Sequence, residues 1–143
     1  MKKFIVTAIC FFTLIYAHAQ DEINLKETFQ EAEYYLLYED YQEALPLYNR
    51  LIANGHENAY IHYRLGECYL AIPGQKAKAI AFLEKASQNI SDNIKEGSFK
   101  ETNAPVRTLF FLGMAYQVNN ELDKAIDAFT RFKDLLEVDD IYN

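Results

Sequence analysis

The chain is short of the residue types on which most protein chemistry depends. Its 143 residues hold two cysteines, three histidines and five glycines. Cys10 falls inside an apolar run at the start, which leaves Cys68, and one cysteine cannot form an internal disulfide. The expectation for Cys68 is a small apolar residue inside a helix pair. His56 and His62 are six residues apart, off a shared helical face, and no Cys or His cluster accompanies Glu57 beside them, so they read as surface or turn histidines and not as metal ligands. Ser87, Ser91 and Ser98 lack the glycine-flanked turn of a nucleophile elbow, and there is no glycine-rich phosphate loop. Asp123, Asp127, Asp139 and Asp140 lack the glycine and ligand spacing of a calcium loop. The expectation is a protein without catalytic residues, metal, cofactor or small-molecule substrate.

Basic residues are also scarce. Of the 14 Lys and Arg, two stand at positions 2 and 3, leaving 12 against 21 Asp and Glu. Nucleic acid is a poor partner for such a surface, because phosphate binding needs clustered Lys and Arg. Apolar residues make up 50% of the chain, which indicates a folded domain and not an acidic disordered tail.

The first residues read as an address. Lys2 and Lys3 precede an apolar run from Phe4 to Tyr16, broken only by Thr7 and Thr13. Ala17-His18-Ala19 then places small residues at the two positions a signal peptidase reads, so residues 1–19 are expected to be a signal peptide cut before Gln20. The run is short for a membrane span of about 20 apolar residues. Cys10 sits within the run and not after it, which argues against a lipidated cysteine. Residues 20–143 are one domain's worth of chain.

What the chain has is a repeated phrase. Ala32 and Tyr35 precede Ala44 and Tyr48. Leu65, Gly66 and Tyr69 precede Ala79 and Leu83. Leu112, Gly113 and Tyr116 precede Ala125 and Phe129. Ala32 to Gly66 and Tyr35 to Tyr69 are both steps of 34 residues. A fixed period of that length marks stacked helical hairpins. First helices are predicted near 23–38, 57–71 and 105–118, and second helices near 41–53, 75–89 and 121–137. Glu39-Asp40, Pro73-Gly74 and Asn119-Asn120 supply the turns within the hairpins. Thr102 or Asn103 is expected to cap the fifth helix, with Pro105 in its first turn. The small residues at 32, 66 and 113, and Ala44, Ala79 and Ala125 opposite them, let paired helices approach closely.

The joint recurrence of small residue, Tyr, Ala and aromatic resembles the tetratricopeptide repeat. Three copies are expected near 25–58, 59–93 and 106–139, which implies an all-α, right-handed solenoid of three hairpins. The first copy departs from the others in having Glu31 where Leu65 and Leu112 stand. The step from Gly66 to Gly113 is 47 residues, so an insertion separates the second and third copies. One extra residue falls at Pro73-Gly74, and the rest form a loop near 94–105, polar apart from Ile94 and Phe99. Such a loop is either a tolerated insertion or a functional element, and the sharper expectation is that Phe99 tucks down to shape one end of the groove. The segments Tyr69–Gly74, Lys95–Lys100 and Asn119–Ile126 also resemble the amino-terminal repeat region of exported bacterial envelope proteins. Those proteins continue into propeller-like repeats and an OmpA-like domain, and some serve outer-membrane secretion or motility.

The resemblance implies that first helices line a concave surface. Three columns follow from the register: Phe29, Tyr63 and Phe110; Lys26, Tyr60 and Arg107; and Glu33, Glu67 and Met114, extended by Gln117. These are the expected contacts for a protein or peptide partner, because aromatic and Arg side chains commonly anchor interfaces. Packing between neighbouring helices is the competing role for the aromatic column. At the other end, Phe132, Leu135 and Leu136 lack a following helix to cover them. That face implies continuation into a longer protein, a covering partner or self-association. The leading expectation is a non-enzymatic interaction scaffold of the cell envelope, in the periplasm or at the outer membrane. The alternative is a structural module packed on downstream domains of a larger protein.

Overall fold

The computed structural model describes residues 24–142, with side chains through Leu136. The expected signal peptide and its cut before Gln20 lie outside the described residues. Among the described residues six α-helices form three hairpins in series: α1 Leu25–Leu37 with α2 Tyr41–Ala53, α3 Ala59–Ala71 with α4 Ala79–Ala86, and α5 Thr108–Val118 with α6 Leu122–Tyr142. The architecture is an all-α, right-handed solenoid, as the repeated phrase implies.

Local chemistry sets the helix ends. The Asn24 side chain accepts from the Glu27 N–H at 3.2 Å, and the Asn58 side chain from the Ile61 N–H at 3.0 Å, so both cap free amides. The turns of the first and third hairpins match. The Asp40 N–H donates to Tyr35 O and the Glu121 N–H to Tyr116 O, each at 2.9 Å. Glu39 and Asn120, at φ 59° and 60°, supply the left-handed residue that closes each of these helices. Both sit in turns that the sequence marks.

Two segments depart from expectation. The fourth helix was expected over 75–89. A short 3₁₀ turn at Lys76–Lys78 follows the Pro73-Gly74 turn, and α4 then ends at Ala86. The Ser87 hydroxyl bonds back to Glu84 O at 2.8 Å, a local bond that competes with further helix. The fifth helix begins at Thr108, and neither Thr102 nor Asn103 caps it. Pro105 is instead in a short parallel bridge, in which β1 Ile90–Ser91 pairs with β2 Ala104–Pro105. That bridge clamps the two ends of the insertion together.

Helix α3 is the centre of the core. Every residue from Ala59 to Gly66 is buried, since hairpins lie on both sides and the insertion lies across it. A Cβ added at Gly66 would stand 2.4 Å from Leu83 Cγ, and one at Gly113 would stand 2.5 Å from Phe129 Cε1. The glycines therefore permit close contact within the second and third hairpins. The bulky neighbour in each case is the residue four positions after Ala79 or Ala125. Cys68 is fully buried, and burial pushes its thiol up to about 12, so it is an inert core residue. His62 is also core: it is 5% exposed, correcting the expectation of a surface histidine. Its place in the fourth-residue rhythm of a helix covered on every side explains this.

Candidate functional site

The first helices α1, α3 and α5 carry the face that the resemblance implies to be concave. Its centre is Arg64, which is 5% exposed. Arg64 Nε donates to Glu33 Oε1 at 3.0 Å and Nη2 to Glu33 Oε2 at 2.9 Å, while Nη1 donates to Glu67 Oε2 at 2.9 Å. The Tyr48 hydroxyl donates to Glu33 Oε1 at 2.7 Å. Arg64 Nη2 also reaches the Tyr60 hydroxyl at 2.7 Å, and the guanidinium lies 5.0 Å and 5.2 Å from the Tyr60 and Tyr63 ring centres. Burial alone would weaken the Arg64 charge, but Glu33, Tyr60 and Glu67 outweigh it and raise its pKa. Burial, then Glu33, pushes the Tyr48 phenol up as well. Burial holds Tyr60 at about 12. The arrangement is a satisfied ion network that binds the first hairpin to the second. Among the described residues no group of three His, Cys, Asp or Glu is placed to hold a metal.

The insertion folds onto this face. The Gly97 N–H donates to the Tyr60 hydroxyl at 2.7 Å. Glu96 binds Arg107 and lies 3.7 Å from Arg64. Arg107 Nε in turn donates to the Tyr63 hydroxyl at 2.6 Å. Phe99 meets Phe29 edge-on at 5.7 Å and stacks on His56 at 4.4 Å. Phe99 thus tucks down between Phe29 and His56.

Behind the insertion the groove stays open. One section of about 540 Å³ is lined by Glu33, Leu36, Leu37, Glu39, Tyr41, Arg64, Glu67, Glu96 and Gly97. A second, about 200 Å³, is lined by Tyr41, Glu67, Leu70, Ala71, Phe111 and Met114. The two share Tyr41 and Glu67 as walls, so they are adjoining clefts, the first lined mainly by charged side chains and the second mainly by apolar ones.

The expected contact residues divide accordingly. Glu33, Glu67 and Met114 line the clefts. Arg107 sits on the insertion side as the residue before α5, and Lys26 and Gln117 are exposed. Phe29, Tyr60 and Tyr63 are at most 1% exposed, which corrects the picture of an open aromatic column. Phe29 packs on Tyr60 at 6.1 Å and Tyr63 stacks on Phe111 at 5.9 Å, so each meets an aromatic residue of the following first helix. Phe110 has no later hairpin to meet among the described residues; it is 41% exposed and turns to Phe129 and Phe132.

Arg64, Tyr41, Leu70, Ala71 and Phe111 escaped the register reading. Arg64 aligns with Gln30 and Phe111, so no repetition marked it. The signal available was the i,i+3 pair of Arg64 with Glu67 in an otherwise apolar stretch.

No curated protein and no solved structure matches the chain. Residues 35–96, from the end of α1 into the insertion, match the tetratricopeptide repeat family. Repeats of this family generally mediate protein–protein interaction and are typically non-enzymatic. The matched stretch holds Arg64 and the whole second hairpin, while Glu33 lies just before it, and the family match and the packing geometry together support a tetratricopeptide repeat solenoid.

Proposed function

We propose that the chain is a non-enzymatic scaffold of the bacterial cell envelope that holds a segment of a partner protein along its concave face. The observation that carries this reading is the pair of adjoining clefts that meet at Tyr41 and Glu67, one bounded by Glu33, Arg64 and Glu96 and the other by Leu70, Phe111 and Met114. An extended segment suits them better than a small molecule, because the clefts are open, lie side by side and are only partly apolar. Glu33 and Glu67 offer polar contacts within them and Met114 apolar area, Arg107 stands beside Glu96, and Lys26, Phe110 and Gln117 are exposed on α1 and α5. Export rests on the leader-like start, with removal before Gln20. Affinity capture from envelope extracts tests the clefts. A protein held by the native chain and lost by a folded Met114→Asp variant supports the reading, and equal capture sinks it. Amino-terminal sequencing of the protein from the envelope fraction should begin at Gln20.

A second reading is favoured by the exposed row on α6. Leu122, Ile126 and Leu136 are 58%, 63% and 45% exposed, and Val118 at the end of α5 is 52% exposed. Such a face suits a structural module packed on downstream domains of a larger outer-membrane-associated protein, of OmpA-like, secretion or motility type, or on a second copy. Limited proteolysis of the native protein from envelopes separates the readings, since a larger parent protein releases this domain as a fragment.

A further inference from the structure

The insertion does more than fill space. In order along the chain it presents a carboxylate at Glu96, a backbone N–H at Gly97 and a ring at Phe99. Each meets a group built for it by the solenoid. The carboxylate lies between Arg64 and Arg107. The N–H points at the Tyr60 hydroxyl, 2.7 Å away. The ring enters between Phe29 and His56. This is the way a bound peptide would be held, with a charge anchor, a main-chain bond and an aromatic anchor.

The insertion also has a frame of its own. The Glu101 carboxylate accepts from the N–H groups of Lys95, Thr102 and Asn103 at 2.8, 2.9 and 2.9 Å. The Ser98 hydroxyl accepts from the Lys100 N–H at 3.3 Å. Gly97, at φ +71°, makes the turn that aims its N–H inward. With its ends joined by the bridge at Ile90 and Ala104, the loop is compact and packed by its own side chains. Most of it is polar and solvent-facing, and its apolar anchors are Ile94 and Phe99. Elements with so few apolar anchors open at lower cost than the core that they cover.

We propose that residues 94–101 are a tethered ligand of the front half of the concave face, and that a partner segment of the same chemistry displaces them. That chemistry is an acidic side chain followed three residues on by an aromatic ring, in an extended or turned segment. Displacement uncovers the Phe29 ring and frees Tyr60, Arg64 and Arg107 from Gly97 and Glu96, with Tyr63 responding through its bond from Arg107. This rests on the concave-face reading above and adds the class of segment and its competitor. A short tether holds the loop at an effective concentration on the order of millimolar, so the same loop supplied in trans binds weakly but measurably.

The test replaces residues 94–101 with a Gly-Ser linker of equal length. A synthetic peptide copying residues 93–102 is then titrated to millimolar concentration while the resonances of the linker variant are followed by NMR. Shifts are expected at Tyr60, Tyr63, Arg64 and Arg107, at least tenfold weaker with the native chain, and absent with a peptide carrying Glu96→Gln and Phe99→Ala. No shift in the linker variant, or an equal response in the native chain, overturns the proposal. So does a linker variant that cannot fold, since the loop would then be core. Hydrogen exchange in the full chain carrying Glu96→Gln and Phe99→Ala gives an independent reading. Exchange is expected to quicken at least tenfold across 94–102 while α4 and α6 hold, and uniform quickening overturns the proposal. The peptide is the chain's own sequence, so these results stand whether or not an envelope partner is captured.

Discussion

Glu33 and Arg64 form two parallel hydrogen bonds across the junction of the first two hairpins, at 3.0 Å and 2.9 Å, with Arg64 almost wholly buried. The pair is polar, yet it stands at the centre of the aromatic face. Its worth lies in what remains when one half is removed.

Arg64→Met should therefore destabilise strongly. It leaves Glu33 and Glu67 facing each other with no cation between them. Losing one partner of a buried pair costs about 3–5 kcal/mol. Adding Glu33→Leu removes the stranded charge and should restore part of the loss, so the double variant is more stable than the two single effects summed. Urea unfolding of the four proteins measures the coupling. Strict additivity would mean that the pair is not a unit.

The glycines of the second and third hairpins should respond unequally to the same change. Alanine improves helix propensity by about 1 kcal/mol over glycine. At Gly66 the new methyl would stand 2.4 Å from Cγ of Leu83, which is fully buried and has nowhere to go. At Gly113 it would meet the Phe129 ring, which is only partly buried and lies at the edge of the solenoid. Gly66→Ala is expected to lower the melting temperature well below that of the native chain, and Gly113→Ala to lower it less. The reverse order in thermal melts would contradict the packing account.

These contrasts explain which parts of the fold could be read in the sequence. Hairpin turns at Glu39 and Asn120, and the small residues at 32, 66 and 113, follow from local chemistry and periodicity, so they were legible. The fate of Phe29 and Tyr63 was not. Their register matches Phe110, but burial depends on what lies across them, and only the folded chain brings Phe99 and Phe111 there. The Glu33–Arg64 pair spans 31 residues and occurs once, so repetition could not mark it. The start of α5 moved because Pro105 serves the bridge to Ser91, a pairing fixed by the clamped ends of the insertion.

Acid should weaken the fold in a window set by two histidines. Burial lowers the pKa of both His56 and His62 below 6.5. His62 Nε2 lies 2.8 Å from Glu57 Oε1, and its Nδ1 is buried without a partner, as is Nε2 of His56. A proton added to either bare nitrogen finds no acceptor. The folded pKa values lie below the unfolded ones, so the unfolded chain binds more protons as pH drops beneath about 6.5. Stability is whole at pH 7.5 and is lost as pH falls through that range. Glu57, whose pKa is lowered chiefly by its bond to His62, adds its own loss only below the usual carboxylate range. Melts from pH 7.5 to 5 should show the fall, and His56→Phe should reduce it. A flat profile would rule out the two histidines as its source.

The exposed row on α6 leads to a prediction about assembly. Leu122, Ile126 and Leu136 fall on one stripe with Phe129 and Phe132, and Phe110 of α5 packs against those two rings. In the second hairpin the corresponding face receives the next first helix. The equivalent face of α1 does not suit that role, because it carries exposed Glu27 and Glu31 where α3 has buried Ile61 and Leu65. Stacking one copy end to end on another would bury those carboxylates against apolar rings, at a cost of several kcal/mol per unpaired charge. Self-association is thus expected through two α6 faces related by a twofold axis, which closes at the dimer. Static light scattering should show a mass that rises with concentration and levels at twice that of the chain. Ile126→Glu with Leu136→Glu should hold it at one copy. A mass that keeps climbing would mean that the carboxylate end of α1 does not block open-ended stacking.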